Sequence, residues 1–181
     1  MNKQIIFFDG DGTLWYPERT KRSQKPHWIY FEESTKDNYL QHLILTPKVV
    51  ETLNTLRAHG IKTAILSTHP QSAEEASRVL QEKVTHFGLL SLFDYIYATA
   101  DYPKAKGQKA LEILHRLHIA QADALMVGDS YKWDYQPMAE VGIDAALIDS
   151  SYHQEKLKEE PVVTLINSLE DLVPLLGISY S

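Results

Sequence analysis

Ile5-Ile6-Phe7-Phe8-Asp9-Gly10-Asp11-Gly12-Thr13 places two carboxylates on a glycine-rich turn directly after four consecutive apolar residues. An apolar run without alternation reads as a strand covered on both faces, the pattern of a parallel sheet between helices. In open α/β sheets the carboxyl ends of the strands form the edge where ligands bind. Two carboxylates so close together repel unless positive charge lies between them, and hard dications such as Mg2+ take oxygen ligands of this kind. Gly10 and Gly12 let the backbone approach a bound group. Asp-Gly-Asp-Gly is also the composition of an ordinary turn, so the stretch gains meaning only from what the rest of the chain brings to the same edge.

Further short apolar runs follow at 63–66, 95–98, 124–127, 145–148 and, more weakly, 162–166. Between them lie amphipathic stretches at 47–58, 72–80, 108–117 and 135–140, with a short helix after Ser168. Pro47 after Thr46 marks a helix start and Gly60 a stop. This alternation predicts an α/β fold, a three-layer α/β/α sandwich with a mainly parallel, Rossmann-like sheet. The 181 residues fit one domain over 1–181.

Residues 15–45 break the alternation, and connections longer than about 15 residues are uncommon unless functional or partly structured. Trp15, Tyr16, Trp28, Tyr30 and Phe31 stand there among Lys21, Arg22 and Lys25. The insertion reads either as a flap or small cap over the mouth of the sheet, with Trp28 and Tyr30 setting substrate choice, or as a surface hairpin whose rings fill a satellite core. Neither it nor the 67–95 interval holds enough chain for a large cap domain.

The net charge of −6 argues against a general nucleic-acid or membrane-surface binder, which needs a clustered positive field. With no cysteine, disulfides, thiolate nucleophiles and thiolate metal ligands are excluded. No stretch approaches the roughly 20 apolar residues of a membrane span, and no signal peptide is legible. A cytoplasmic location is expected.

A second acidic pair, Asp129 and Asp134, follows the run at 124–127 in Gly128-Asp129-Ser130-Tyr131-Lys132-Trp133-Asp134. If that strand neighbours the first, Asp129 reaches the same metal as Asp9 and Asp11. Asp134 would then orient a metal-bound water or a lysine, or simply cap a helix. The run at 63–66 ends in Ser67-Thr68-His69, whose hydroxyls and amides suit phosphate oxygens. Tyr102-Pro103-Lys104-Ala105-Lys106-Gly107 opens a helix with two candidate cations.

Together these residues resemble the haloacid dehalogenase-like superfamily over nearly the whole chain. Asp9 to Thr13 matches its Asp-x-Asp-Gly-Thr motif, Ser67 its strand-end hydroxyl, Lys106 or Lys104 its helix-start lysine, and Gly128 to Asp134 its Gly-Asp-x4-Asp motif. Lys106-Gly107 is similar to phosphoserine phosphatase-like members, whereas Lys104 fits members carrying Lys-Pro-x-Pro; Lys106 is the expected motif lysine. The resemblance implies an Mg2+-dependent phosphatase acting on phosphate monoesters through an aspartyl phosphate. Asp9 would be the nucleophile and Asp11 the general acid and base, with Asp9, Asp11 and Asp129 binding Mg2+. Gly10, Ser67, Thr68 and Lys106 would hold the phosphate, supported by Thr13 and Asp134. The insertion resembles the magnesium-dependent phosphatase-1 branch, implying a small phosphorylated substrate such as a sugar phosphate or a phosphotyrosine-like ester. An open site is also compatible with a neighbouring subunit as its roof. The alternatives are a phosphoacceptor module, which in receiver-like proteins carries its aspartate after a middle strand rather than the first, and a non-catalytic phosphate-ligand-binding module on the same fold.

Overall fold

Ile5–Phe8, strand β1, is fully buried because it has parallel partners on both sides and a helical layer on each face. The computed structural model describes residues 2–69, 72–99, 101–102, 104–152 and 164–180. β1 pairs with β4 (Lys62–Thr68) in the register Ile5 with Lys62 and Phe8 with Ile65. On its other side it pairs with β6 (Ala124–Gly128), Ile5 opposite Ala124 and Phe8 opposite Val127. With β5 (Tyr95–Thr99), β7 (Asp144–Ile148) and β8 (Thr164–Ile166), the six strands run parallel in the order β5-β4-β1-β6-β7-β8. The expected adjacency of the two acid-bearing strands is therefore present.

Strand side chains alternate between the two faces. Ile6, Phe8, Ile65, Leu125 and Val127 join one core with Leu53 and Leu56 of α1 (Val49–Ala58), Leu80 and Val84 of α2 (Ala73–His86), and Leu172 of α5 (Leu172–Leu176). Ile5, Phe7, Leu66 and Met126 join the other with Ile113 and Leu114 of α3 (Ala105–Leu117) and Met138 of α4 (Gln136–Ala139). Each such side chain contributes about 1.5–3 kcal/mol on full burial, so a one-residue slip of β1 would move its apolar set between the layers.

The elements depart from the sequence expectation in instructive places. α2 runs on to His86 rather than ending near 80, because Lys83 and Val84 continue the buried stripe begun by Ala76, Val79 and Leu80. The helix expected at 135–140 is divided into a turn of π-helix, Tyr131–Tyr135, followed by α4. Residues 162 and 163 of the weak terminal strand lie outside the described residues.

The insertion contains a small antiparallel ribbon, β2 (Trp15–Pro17) against β3 (Leu43–Leu45), and two short 3-10 turns, Pro26–Tyr30 and Tyr39–His42. Trp15 and Ile29 are fully buried, and Trp15 stacks on Phe87 of the main body at 5.7 Å between ring centroids. The loop after β2 is tied to the loop after β7, where Ser151 Oγ donates to the carbonyl of Ser23 at 2.8 Å. No described helix is long and apolar enough to cross a membrane.

Candidate active site

The ends of β4, β1 and β6 lie side by side, so their loops share one edge of the sheet. The Asp9 amide donates to the carbonyl of Val127 at 2.9 Å, which carries the β1–β6 ladder one residue past the strand. Gly10 is required by close approach, since a Cβ there would lie 2.8 Å from the Trp15 ring and 2.9 Å from Ser67 Oγ. Gly12 has φ +87°, and a Cβ on it would collide with the Asp129 carboxylate. The two acidic loops are thus in direct contact through glycine.

Carboxylate oxygens of Asp9, Asp129 and Asp134, all buried, lie within 4.8 Å of one another. Lys106, in the first turn of α3 and 1 % exposed, donates to Asp9 Oδ1 at 2.5 Å and to Asp134 Oδ1. Asp134 also accepts the backbone amides of Asp129 at 3.1 Å and Ser130 at 2.9 Å. It therefore anchors both the lysine and the loop that carries Asp129. The Tyr152 hydroxyl donates to Asp129. Lys104, by contrast, is exposed, and among the described residues it pairs with Glu140, at 3.9 Å.

Asp11 is placed apart from that group. Its carboxylate accepts from Trp15 Nε1 at 2.6 Å, from the Tyr30 hydroxyl at 2.8 and 2.9 Å, and from Lys83 Nζ at 3.1 and 3.0 Å. His69 Nε2 lies 3.5 Å from it and His27 Nε2 4.0 Å. Lys83 and His69 are themselves joined at 2.7 Å. A charged lysine has no acceptor, so His69 Nε2 accepts there. Thr13 is fully buried; its amide donates to the Gly10 carbonyl at 3.2 Å, and its own carbonyl accepts from Thr46 Oγ1 at 2.7 Å. Ser67 is buried beside Gly10, and Thr68 Oγ1 is bonded to Thr99 Oγ1 at 2.7 Å.

The carboxylates line a cleft of about 190 Å³ together with Thr68, Ser130, Trp133 and Tyr152 from the body and Lys25, Pro26 and His27 from the insertion. Burial pushes the Asp9 carboxyl up to about 7, with Lys106 opposing the shift and Asp134 adding to it. Asp129 is raised well above the usual carboxylate range by burial and by Asp9 and Asp134. For Asp11 burial acts in the same sense, but the Lys83 ammonium, first among the positive groups beside it, opposes burial, and the group is held below that range. Three clustered buried carboxylates meet the Lys106 ammonium, and this concentration of negative charge on oxygen donors fits a hard divalent cation.

A family model for haloacid dehalogenase-like hydrolases matches residues 11–148, which include Asp11, Ser67, Lys106, Asp129 and Asp134. The chain belongs to the haloacid dehalogenase-like hydrolase family. The chain is 30% identical over 131 residues to haloacid dehalogenase-like hydrolase domain-containing protein 3 of Mus musculus, covering 70% of this chain and 49% of that one. It is 28% identical over 131 residues to phosphoglycolate phosphatase 1 of Pseudomonas aeruginosa, covering 71% and 46%. The chain spans about half the length of the curated relatives it matches. In fold it is similar to the crystal structure of a HAD phosphatase from Thermococcus onnurineus, with TM-score 0.66 and 20% identity over 100% of both chains.

Lys83 and Tyr152 were not singled out by sequence reasoning, and His69 entered only as the last residue of the strand-end stretch Ser67-Thr68-His69. Lys83 did carry a signal: it stands at helical spacing on the apolar stripe of α2, where a lysine is unusual without a buried partner.

Proposed function

We propose that this hydrolase cleaves phosphate monoesters of small molecules through an aspartyl phosphate on Asp9, in an Mg2+-dependent reaction. The observation that carries the reading is Lys106 joining Asp9 to Asp134 beside Asp129 in an open cleft, with Asp11 held separately at the same edge. An Asp9 carboxylate oxygen attacks phosphorus as the ester oxygen leaves, and the resulting acyl phosphate is hydrolysed in a second displacement. Asp11 protonates the departing oxygen and later takes a proton from the attacking water. Lys106 orients Asp9 and offsets charge on the phosphoryl oxygens, while Ser67, Thr68 and the Gly10 backbone supply donors to them. When bound, held by Asp9 and Asp129 with Asp134 beside them, Mg2+ would offset charge on the transferring group. Asp11, expected among the metal ligands, has its side chain on Lys83, Tyr30 and Trp15, apart from those three carboxylates.

The similarity to phosphoglycolate phosphatase 1 and to a HAD phosphatase supports phosphate esters as the substrate class. The test is phosphate release from a panel of sugar phosphates, phosphorylated acids and aryl phosphates, with and without Mg2+. Wild type should release phosphate only with the metal, and Asp9→Asn should abolish release with an unchanged circular dichroism spectrum. Undiminished release by folded Asp9→Asn would sink the assignment.

A further inference from the structure

We propose that Tyr152 is a positioning residue for Asp129, holding its carboxylate beside those of Asp9 and Asp134 for Mg2+, and that the insertion supports this hold through Ser151. The inference rests on the Mg2+ reading of the site and names two residues outside the motifs that support it.

The main chain of Asp129 is fixed by Asp134, which accepts its amide at 3.1 Å. That bond does not set the side-chain torsions, and a carboxylate that turns about its Cβ–Cγ bond presents a different oxygen to its neighbours. The Tyr152 hydroxyl restrains this rotation by donating to Asp129 Oδ2. It also packs on the loop after β1, where a Cβ at Gly12 would lie 3.0 Å from the hydroxyl oxygen and would collide with the same Oδ2. The Asp129 carboxylate is thus held between the Gly12 turn and a tyrosine hydroxyl, in a residue only 3 % exposed. Hydrogen bonds to the carboxylates that bind a metal orient them and tune the site.

Tyr152 is in turn tied to the insertion. Its neighbour Ser151 donates through Oγ to the carbonyls of Ser23 at 2.8 Å and Arg22 at 3.2 Å. Arg22 Nε donates to the Gly12 carbonyl at 2.9 Å. These contacts close a ring that runs from Gly12 to Arg22, Ser151, Tyr152 and Asp129, whose carboxylate lies against Gly12 again. A tyrosine that served only to line the cleft would need no bond to a buried carboxylate.

The experiment follows melting temperature from EDTA through rising Mg2+, with no substrate present. The value in EDTA reads the fold, and its rise with Mg2+ reads the dissociation constant of the metal. Tyr152→Phe removes the hydroxyl and keeps the ring. It should weaken Mg2+ at least about 10-fold, within the range of roughly 10–100-fold for groups that hold metal ligands. In EDTA it should melt within about 4 °C of wild type, as expected for the loss of one hydrogen bond. Ser151→Ala, at an exposed position, should also weaken Mg2+ and carries the test should Tyr152→Phe fail to fold. The double variant Ser151→Ala/Tyr152→Phe should bind Mg2+ no more weakly than Tyr152→Phe, the non-additivity expected when one residue acts through another.

A lower melting temperature in EDTA with an unchanged dissociation constant would make Tyr152 a packing residue and overturn the assignment, as would a further loss of affinity in the double variant. Asp129→Asn is the reference. Should wild type rise with Mg2+ and Asp129→Asn stay flat while Tyr152→Phe and Ser151→Ala follow wild type, this inference alone falls. A flat wild-type curve would instead overturn the Mg2+ reading of the site, and this one with it.

Discussion

Lys106 and Lys104 stand two positions apart at the head of one helix, yet they live in different media. Burial lowers the proton affinity of the Lys106 ammonium, but Asp134 and Asp9 outweigh it and hold the group firmly charged. Replacing it with methionine leaves three buried carboxylates facing one another, a change that costs about 3–5 kcal/mol when one partner of a buried pair is lost. The same change at exposed Lys104 should stay within about 0.5 kcal/mol. Denaturation midpoints of the two variants measure this contrast directly, and a comparable loss from both would remove Lys106 from the centre of the site. The letters of the sequence do not separate the two lysines, because Lys104 caps α3 and Lys106 lies in its first turn; what separates them is which side of the helix start faces the strand ends. The spacing signal at Lys83 is weak for a related reason. Gln81 and Glu82 read as the polar end of a helix, and only the burial of Val84 beyond them shows that the stripe continues.

At the scale of elements, the insertion divides its work between its residues. Tyr30 faces inward and bonds to Asp11, whereas Trp28 donates to Thr20 and lies under Arg19, 4.1 Å from the guanidinium carbon. The residues that line the cleft are their neighbours Lys25, Pro26 and His27. His27→Ala should therefore shift the relative kcat/KM between two good substrates several-fold, while Trp28→Ala should leave the ranking as it was. A reordering by Trp28→Ala and none by His27→Ala would reverse this division. Aromatic composition alone pointed to Trp28 and Tyr30, since nothing in a sequence says which way a ring turns. The β2–β3 pairing was equally hidden: three-residue strands carry too little periodicity to register, and their partners are distant in the chain. The central strands β1, β4 and β6 were legible because burial on both faces enforces unbroken apolar runs.

For the whole molecule, the carboxylates at the strand ends couple folding to pH. Asp9 moves from 3.8 to about 7 on folding, so the folded state binds its proton more tightly than the unfolded chain. The stability this contributes is fully present below the lower value and is lost as pH rises toward the upper one. His27, whose pKa burial lowers despite Asp11, contributes with the opposite sign. Asp9→Asn is therefore the reference that isolates the aspartate. In EDTA, the melting temperature of wild type relative to Asp9→Asn should fall by several degrees between pH 5 and pH 7.5. Saturating Mg2+ should cancel most of that fall, because cation binding favours the ionised carboxylate. Parallel curves for the two proteins would mean that Asp9 does not carry this charge.

The double-sided pairing of β1 has a consequence for motion. Its amides are enclosed by neighbouring strands and by both helical layers, so they should exchange with solvent only when the whole sheet opens. The stretch 18–25 of the insertion, mostly exposed between buried Pro17 and Pro26, rests on turns and on contacts with the loop after β7, and can loosen at far lower cost. Substrate can thus come and go through breathing of the rim while Asp9 stays fixed to the most slowly exchanging segment of the chain.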